Sequence, residues 1–412
     1  MRVVRATQTE IEKAVETLRA GDLVVFPTET VYGLGANASN PAAVRKIFEV
    51  KGRPADHPVI VHLDDPRYLH RWVSAMPPQA ERLAAMFWPG PLTLILPKGE
   101  TVNDIVTGGQ NSIGIRIPSH PMAQQLLTAF GGGIAAPSAN RYGRLSPTKP
   151  EHVRDELGDA VHVLLDGGDS PIGLESTIVS CLDGQVRLLR PGFITRSQIQ
   201  QVVGELTEGG EAPRVPGDRA QHYAPSTPLE IIPWELLEAR AAEILERDEK
   251  VAVLAMSPPL HPRRYMTWIN AGKKPEAYAH NLYNNLRTLD RAQCVRILVQ
   301  ELPKDERYVL YPLHHQPEAS VDVFGSLNSN QVSLIESLSR LLPDHTYVTE
   351  MHLAGNKVQI AGITRDAPSL IPLIEQSQHF TRATFYAPTT RSSTDPGERF
   401  HIEAQVEPRN AP

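Results

Sequence analysis

Cysteine is almost absent from this chain. Cys181 and Cys294 are the only two in 412 residues, too few for a disulfide scaffold or a cysteine-based zinc site. Long apolar runs are missing too. No stretch approaches the roughly 18 uncharged apolar residues of a membrane span, and residues 1–6 hold no apolar segment of a secretory signal. Positive charge is not in excess: the formal net charge is −6, so nucleic acid would have to be met by a local patch. Several motifs are lacking. The run Gly131-Gly132-Gly133 has no following Gly-Lys-Ser/Thr, no Gly-x-Gly-x-x-Gly follows a strand, and no His-x-x-x-His, serine elbow or catalytic cysteine context occurs. What these absences leave is the expectation of a cytoplasmic enzyme.

The composition that is present, 41% hydrophobic and 21% charged, describes an ordinary globular protein of two or three domains. The 36 prolines exceed the usual share of about 5% and predict many defined loops. Apolar periodicity predicts helices over 10–19, 42–50, 77–86, 121–129 and 198–203. Strands are predicted over 23–27, 58–63, 92–97, 113–118, 162–166, 177–181 and 186–189. This is an α/β catalytic domain over 1–206, with a mixed sheet of about seven strands. Residues 207–228 lose periodicity and read as a linker. A small α/β domain follows over 229–302, with strands 229–232, 251–255 and 294–300 and helices 235–248 and 276–289. After a second polar stretch, 303–325, residues 326–408 predict a helix (331–342), then strands 346–353 and 357–363, a helix 370–377, and strands 381–388 and 400–406. That order suggests a ferredoxin-like α+β module. No internal repeat is evident.

The chemistry-bearing residues lie mainly in the first domain. Lys51-Gly52-Arg53-Pro54 puts two cations in K-x-R spacing, and Ser138-Ala139-Asn140 follows a glycine run much later. Together they propose a polyphosphate cradle of point charge, guanidinium fork, short polar side chains and backbone N–H groups. The segment Phe26-Pro27-Thr28-Glu29-Thr30-Val31-Tyr32-Gly33-Leu34-Gly35 ends a strand with hydroxyls and glycines. That composition suits an ordinary turn as well as a small polar substrate. Arg116 sits in an apolar strand, and a buried guanidinium requires an anionic partner, either a protein carboxylate or a ligand. Leu174-Glu175-Ser176-Thr177 and Leu188-Leu189-Arg190-Pro191-Gly192 place polar groups at strand ends, where open α/β sheets bind ligands.

Taken in order, Phe26–Gly35, Lys51–Pro54, Pro58–His62, Arg116–Pro118, Pro137–Asn140, Gly173–Thr177, Arg190–Gly192 and Pro216 with His222–Pro225 resemble the YrdC family in its long, two-domain form. The resemblance runs from about residue 5 to 302. It implies a twisted open sheet with a concave cavity. It also implies synthesis of threonylcarbamoyl-adenylate from L-threonine, bicarbonate and ATP, with release of pyrophosphate. The adenylate would pass to a tRNA threonylcarbamoyl-transfer complex that modifies the adenosine beside the anticodon of ANN-reading tRNAs. Carried over by motif, L-threonine falls to Thr30, His62, Arg116, Ser176 and the backbone at Ala136. The nucleotide falls to Lys51, Arg53, Ser138, Asn140, Ser146, Arg190 and Tyr223, with His57 and Ser112 as further contacts. Lys51, Arg53, Ser138 and Asn140 are the expected catalytic set. A Mg²⁺ would accompany ATP, its protein ligands being left open. The linker carrying His222-Tyr223-Ala224-Pro225 would act as a lid.

The chain departs from that pattern after Gln300-Glu301-Leu302-Pro303. Residues 326–408 instead resemble the periplasmic C-terminal module of PilN/GspL-type assembly proteins. The resemblance rests on Leu341-Leu342-Pro343-Asp344, Thr349-Glu350-Met351, Ala361-Gly362 with its following helix, and Phe400-His401-Ile402. That module normally follows a membrane helix, which this chain lacks. Two other functions stay open on the sequence: a double-stranded RNA-binding module, and an assembly scaffold acting through the C-terminal segment.

Overall fold

A computed structural model of the chain describes residues 2–5, 7–209, 212–216, 224–303, 341–343, 346–354, 357–377, 380–391 and 398–406. The chain divides into two compact units, residues 1–319 and 320–412. In the first unit, the elements open with β1 (Arg2–Arg5), α1 (Gln8–Arg19), β2 (Val24–Phe26), β3 (Gly33–Asn37), α2 (Pro41–Lys51) and β4 (Ile60–His62). Then come α3 (Pro78–Phe87), β5 (Leu92–Pro97), α4 (Asp104–Thr107), β6 (Ser112–Arg116), α5 (Pro121–Phe130) and β7 (Ile134–Ala135). The set closes with α6 (Pro150–Leu157), β8 (Val163–Asp166), β9 (Thr177–Leu182), β10 (Gln185–Arg190) and α7 (Arg196–Val203).

The strands form one mixed sheet of ten, in the order β1-β8-β2-β3-β7-β4-β6-β5-β9-β10. Helices cover it because each offers an apolar stripe. Helix α1 buries Ile11, Ala14, Val15 and Leu18, a spacing of three and four that faces one side of a helix. It packs with α5 over Val24, Phe26 and Ile134. Helices α2 and α3 supply Val44, Ile47, Phe48, Leu83 and Ala84 to a second layer with Val61, Leu94 and Ile115. The expected sheet of about seven strands is thus too small by three. Strand β3 reads Gly-Leu-Gly-Ala-Asn and β7 is two residues long, so neither carries the β-branched alternation by which a strand is found. Strand β1 is paired in parallel with β8, and helix α6 was also not expected.

The linker touches the sheet before the chain enters the small domain. Val215 is buried with Ile60, Ile95 and Ile178. The small domain comprises β11 (Leu229–Ile232), α8 (Trp234–Leu245), β12 (Val251–Ala255), β13 (Met266–Asn270), α9 (Pro275–Asp290) and β14 (Arg296–Gln300). Its sheet is parallel throughout, in the order β11-β14-β12-β13; β13, only part-buried, was not expected. Helix α9 buries Tyr278, Leu282, Leu286 and Leu289 on one stripe. The core beneath it takes Val31, Leu145 and Leu174 from three separate loops of the catalytic domain.

In the second unit, β15 (Tyr347–Ala354), β16 (Lys357–Thr364), α10 (Leu370–Glu375), β17 (Phe380–Phe385), β18 (Thr390–Arg391) and β19 (Glu398–Val406) build an antiparallel sheet. Its order is β15-β16-β19-β17, with β18 paired to β19. Alternate residues Val358, Ile360, Phe400, Ile402 and Ala404 bury with Leu370 and Ile374 of α10, the two-layer arrangement of an α+β module. The helix expected over 331–342 lies almost wholly outside the described residues. Among the described residues no helix is long and apolar enough to cross a membrane.

Gly173 lies where the catalytic domain packs closely against α9. Its φ is +75°, and a Cβ there would stand 2.3 Å from the carbonyl oxygen of His280 in α9. Gly173→Ala should therefore lower unfolding stability by about 1–3 kcal/mol, measured by denaturant titration. An unchanged midpoint would contradict this close approach.

Candidate active site

Helix α2 sets up the first half of the site by how it ends. Asn40 accepts from the N–H groups of Ala42 and Ala43 at the start, and Pro41 occupies the first turn. At the far end Gly52 adopts the left-handed conformation, with φ 63°. Its N–H donates to Glu49 O, and Arg53 N–H reaches back to Phe48 O, a Schellman closure. Lys51 is thus the last helical residue, and the reversal turns Arg53 back beside it. Both side chains are buried, at 3% and 6% exposure.

The cation pair and the Ser-Ala-Asn tripeptide are joined directly. Lys51 Nζ donates to the carbonyl oxygen of Ser138 at 2.6 Å and also to that of Asn140, while Tyr142 N–H donates to Lys51 O at 2.8 Å. The tripeptide continues the chain from β7 and pairs with β3: Leu34 N–H donates to Pro137 O and Ala139 N–H to Tyr32 O, both at 2.8 Å. Asn140 spends its amide donors on Arg141 O and Arg144 O, at 2.8 and 2.7 Å. Its buried Oδ1 has no hydrogen-bond partner among the described residues. Arg53 Nη2 donates to Pro58 O at 2.8 Å.

A second cluster gathers where β4, β6 and β5 run side by side. His62 is opposite Arg116 in the β4–β6 register, and Arg116 is opposite Thr93. The Arg116 guanidinium donates from Nη2 to Glu29 Oε1 at 2.6 Å, from Nη1 to Thr30 Oγ1 at 2.8 Å, and from Nε to Gly90 O at 3.3 Å. Among the described residues these bonds use three of its five N–H donors and leave two for a ligand. Glu29 Oε2 also accepts from Ser119 N–H at 3.0 Å, and Thr28 Oγ1 contacts Thr30 Oγ1 at 2.8 Å. Of the alternatives open for Arg116, the protein carboxylate is present, and donors remain for an anion from outside. Ala136 N–H is engaged with Ile60 O at 2.9 Å.

Ser176 links this cluster to the last strands. Its Oγ contacts Thr93 Oγ1 at 2.8 Å and accepts from Arg190 Nη2 at 2.9 Å. Arg190, 1% exposed, also donates to Ser176 O and to Pro216 O. The Glu175 carboxylate is 3.6 Å from it. Both clusters line one cleft, which encloses about 570 Å³ of empty space counting its open mouth. Thr30, Lys51, Arg53, His62, Arg116, Ala136, Ser138, Asn140, Ser176 and Arg190 are all on its wall.

Three other expected contacts stand off the cleft wall, and a fourth lies outside the described residues. His57 stands behind Tyr142, with ring centroids 5.5 Å apart, and Tyr142 lines the cleft in its stead. Ser146 is buried and donates to Glu175 Oε1 at 2.5 Å, so it orients a cleft carboxylate from behind the wall. Ser112 begins β6 whereas Arg116 ends it, about 13 Å apart at the strand rise, and Ser112 is absent from the cleft wall. Tyr223 lies outside the described residues, as does most of the expected lid. Two cleft-side carboxylates were not among the expected site residues. Glu29 was signalled by the demand of a buried Arg116 for an anion; Glu175 had only its place beside Ser176.

Burial governs the electrostatics. Lys51 is pushed from its ordinary 10.5 down to about 7, first by desolvation and then by the adjacent Arg53. That is a bias of roughly 5 kcal/mol against the charged form. His62 is lowered to about 3, again by burial first and then by Arg116, so it is a neutral imidazole at ordinary pH. Its buried Nδ1 has no hydrogen-bond partner among the described residues. Glu29 pairs with Arg116 and Glu175 lies near Arg190, and four cations gathered on one wall suit a ligand with several negative charges.

Comparison with known proteins agrees with this geometry. Residues 16–192 match the family model described as "Telomere recombination", residues 194–310 that of the "Threonylcarbamoyl-AMP synthase, C-terminal domain", and residues 333–406 that of "Fimbrial assembly protein (PilN)". A threonylcarbamoyl-AMP synthase of Bacillus subtilis is 41% identical over 305 residues, 71% of this chain and 88% of that protein. One from Pyrococcus abyssi is 37% identical over 309 residues, covering 72% and 90%. Among solved structures, P. abyssi Sua5 complexed with L-threonine aligns with a TM-score of 0.71 at 35% identity, over 78% of this chain and 98% of that one.

The lowered Lys51 makes a prediction about protons. At pH 8 a group of pKa about 7 is charged in about a tenth of molecules, and an anion set against it favours the charged form. Binding of pyrophosphate at pH 8 should therefore take up close to one proton. Calorimetry in buffers of different ionisation enthalpy measures it. Lys51→Met should abolish the uptake, and buffer-independent binding by the unaltered chain would contradict the assignment.

Proposed function

We propose that this chain, which belongs to the threonylcarbamoyl-AMP synthase family, makes threonylcarbamoyl-AMP from L-threonine, bicarbonate and ATP and releases pyrophosphate. The observation that carries this reading is a single cleft with two unlike polar clusters. One is cationic and rimmed by Lys51, Arg53, Ser138 and Asn140. The other is hydroxyl-rich around Arg116, Thr30, His62 and Ser176. The first suits a polyphosphate. The second suits a small amino acid whose carboxylate takes the two remaining Arg116 donors and whose hydroxyl meets Thr30 or Ser176.

The chemistry needs no nucleophile from the protein. The threonine amine attacks the bicarbonate carbon, a C–O bond breaks, and water leaves with one amine proton to give a carbamate. A carbamate oxygen then attacks the α-phosphorus of ATP, and the bond to the β,γ-diphosphate breaks. Lys51 and Arg53 offset the charge that gathers on the leaving pyrophosphate, so positioning and electrostatics supply the rate. Neutral His62 can orient the amine or hydroxyl through a hydrogen bond without adding charge. Glu29 holds Arg116 in place by a bond of 2.6 Å, which keeps the carboxylate-binding fork pre-formed. Magnesium would accompany ATP and offset charge on its phosphates. Among the described residues no group of three or more His, Cys, Asp or Glu is gathered to hold a metal.

The adenylate is then consumed by a tRNA threonylcarbamoyl-transfer activity in the cytoplasm, in keeping with a labile mixed anhydride that must be used where it is made. For the C-terminal unit the likeness to the fimbrial assembly family supports a role in protein assembly, separate from the chemistry.

Incubation with ATP, L-threonine and bicarbonate should give threonine-dependent pyrophosphate and the adenylate. Arg53→Ala should abolish pyrophosphate release with an unchanged melting curve, and normal turnover in that variant would refute the nucleotide assignment. Deletion of residues 326–412 should leave adenylate synthesis within about twofold of the full chain, read by the same assay.

A further inference from the structure

The loop from Asn140 to Ser146 carries Asn140 and Tyr142 of the cleft wall, and inside the catalytic domain its ends are held by Tyr142 on Lys51 and Ser146 on Glu175. A second hold comes from the small domain. Arg287, in the last turn of α9, is 8% exposed and reaches across to that loop. Its Nη2 donates to Leu145 O, and its Nη1 donates to Glu156 Oε1 at 2.9 Å. The ion pair is buried on both sides, with side-chain exposures of 9% and 8%. Glu156 belongs to α6, so one guanidinium ties three segments together: α9, α6 and the loop.

The same turn of α9 makes further ties. Asp290 accepts from the N–H groups of Ser226 and Thr227, at 2.9 and 2.7 Å, where the linker enters the small domain. Arg144 lies 3.5 Å from Asp290, and Ala224 N–H donates to Gly143 O at 2.9 Å. Leu145 is buried in the core under α9. The loop is therefore fixed from outside at Gly143, Arg144 and Leu145. Between Lys51 and those anchors it carries Asn140, which lines the cleft, and Tyr142, which shields His57; Ser146, just past Leu145, holds Glu175.

We propose that Arg287 is a positioning residue for the nucleotide half of the reaction, through which the small domain sets the geometry of the Asn140–Ser146 loop. The inference rests on the functional reading above. The guanidinium is suited to the task because its fork serves a carboxylate and a carbonyl at once, while a lysine ammonium offers a point charge. A buried cation with a fixed counter-ion also fixes the register between the domains, since sliding would strip one partner from the other. The L-threonine cluster is built on β4, β5, β6 and the Thr28–Val31 segment and takes no bond from Arg287. The expected effect is thus one-sided.

The test uses the full chain and two variants, Arg287→Met and Arg287→Lys, with steady-state kinetics for each substrate and a melting curve. Arg287→Met should raise KM for ATP by roughly tenfold and leave KM for L-threonine within twofold. Arg287→Lys, which keeps the pair with Glu156, should fall between this variant and the unaltered chain. An ATP KM that does not move in the folded methionine variant overturns the proposal, as do equal losses for both substrates. If the methionine variant does not fold, the lysine variant decides by the same criterion. Failure of the unaltered chain to form the adenylate would instead count against the functional reading itself.

Discussion

Positive charge buried on the wall of one cleft is the constraint on which the site depends. Lys51, Arg53, Arg116 and Arg190 are all at least nine-tenths buried, and desolvating such groups costs several kcal/mol each unless partners restore what water gave. Among the described residues Lys51 is met by two backbone carbonyls, Arg116 by Glu29 and a hydroxyl, and Arg190 by Ser176, the carbonyl of Pro216 and, at 3.6 Å, Glu175. The cleft gathers these four cations on one wall.

Everything around the cleft holds these cations where they are. The ten-stranded sheet brings His62, Arg116 and Thr93 into adjacent register positions, and the helix closure at Gly52 brings Lys51 and Arg53 to the same mouth. Three loops that carry cleft residues each bury one apolar side chain, Val31, Leu145 or Leu174, in a core shared with α9. The small domain is therefore part of the wall's support. Apolar burial of this kind is non-directional and sets proximity, while Arg287 and Asp290 add the directional bonds that set register.

Several features were legible along the chain. Helices with a clear stripe, such as α1 and α9, and strands rich in branched residues, such as β5 and β12, fell where periodicity put them. Strands β3 and β7 did not, because glycine and alanine carry no alternation and their pairing is decided by neighbours far along the chain. Lys51 with Arg53 and Ser138 with Asn140 could be picked out as charged and polar groups in turn-like settings. That Lys51 would bind the carbonyls of that tripeptide, leaving the Asn140 side chain to staple its own loop, was not legible. Backbone carbonyls are identical at every residue and carry no signal in a sequence.

The sequence by itself determined the chemical inventory: which cations exist, that Arg116 in an apolar strand needed an anion, and which residues break helices so that a cation can turn inward. These depend on local identity and on spacing within one element. Tertiary structure alone decided which of those groups share a wall. It placed Ser112 at the opposite end of β6 from Arg116, set His57 behind Tyr142 and Ser146 behind Glu175, and drew Arg287 of a separate domain onto the loop that Asn140 occupies. The physical reason is that long-range register, burial and the resulting loss of solvation are properties of contacts between segments far apart along the chain, 87 residues for Arg116 and Glu29 and 142 for Arg287 and Leu145. Arg287 and Leu145, or Arg116 and Glu29, come together only in the folded chain.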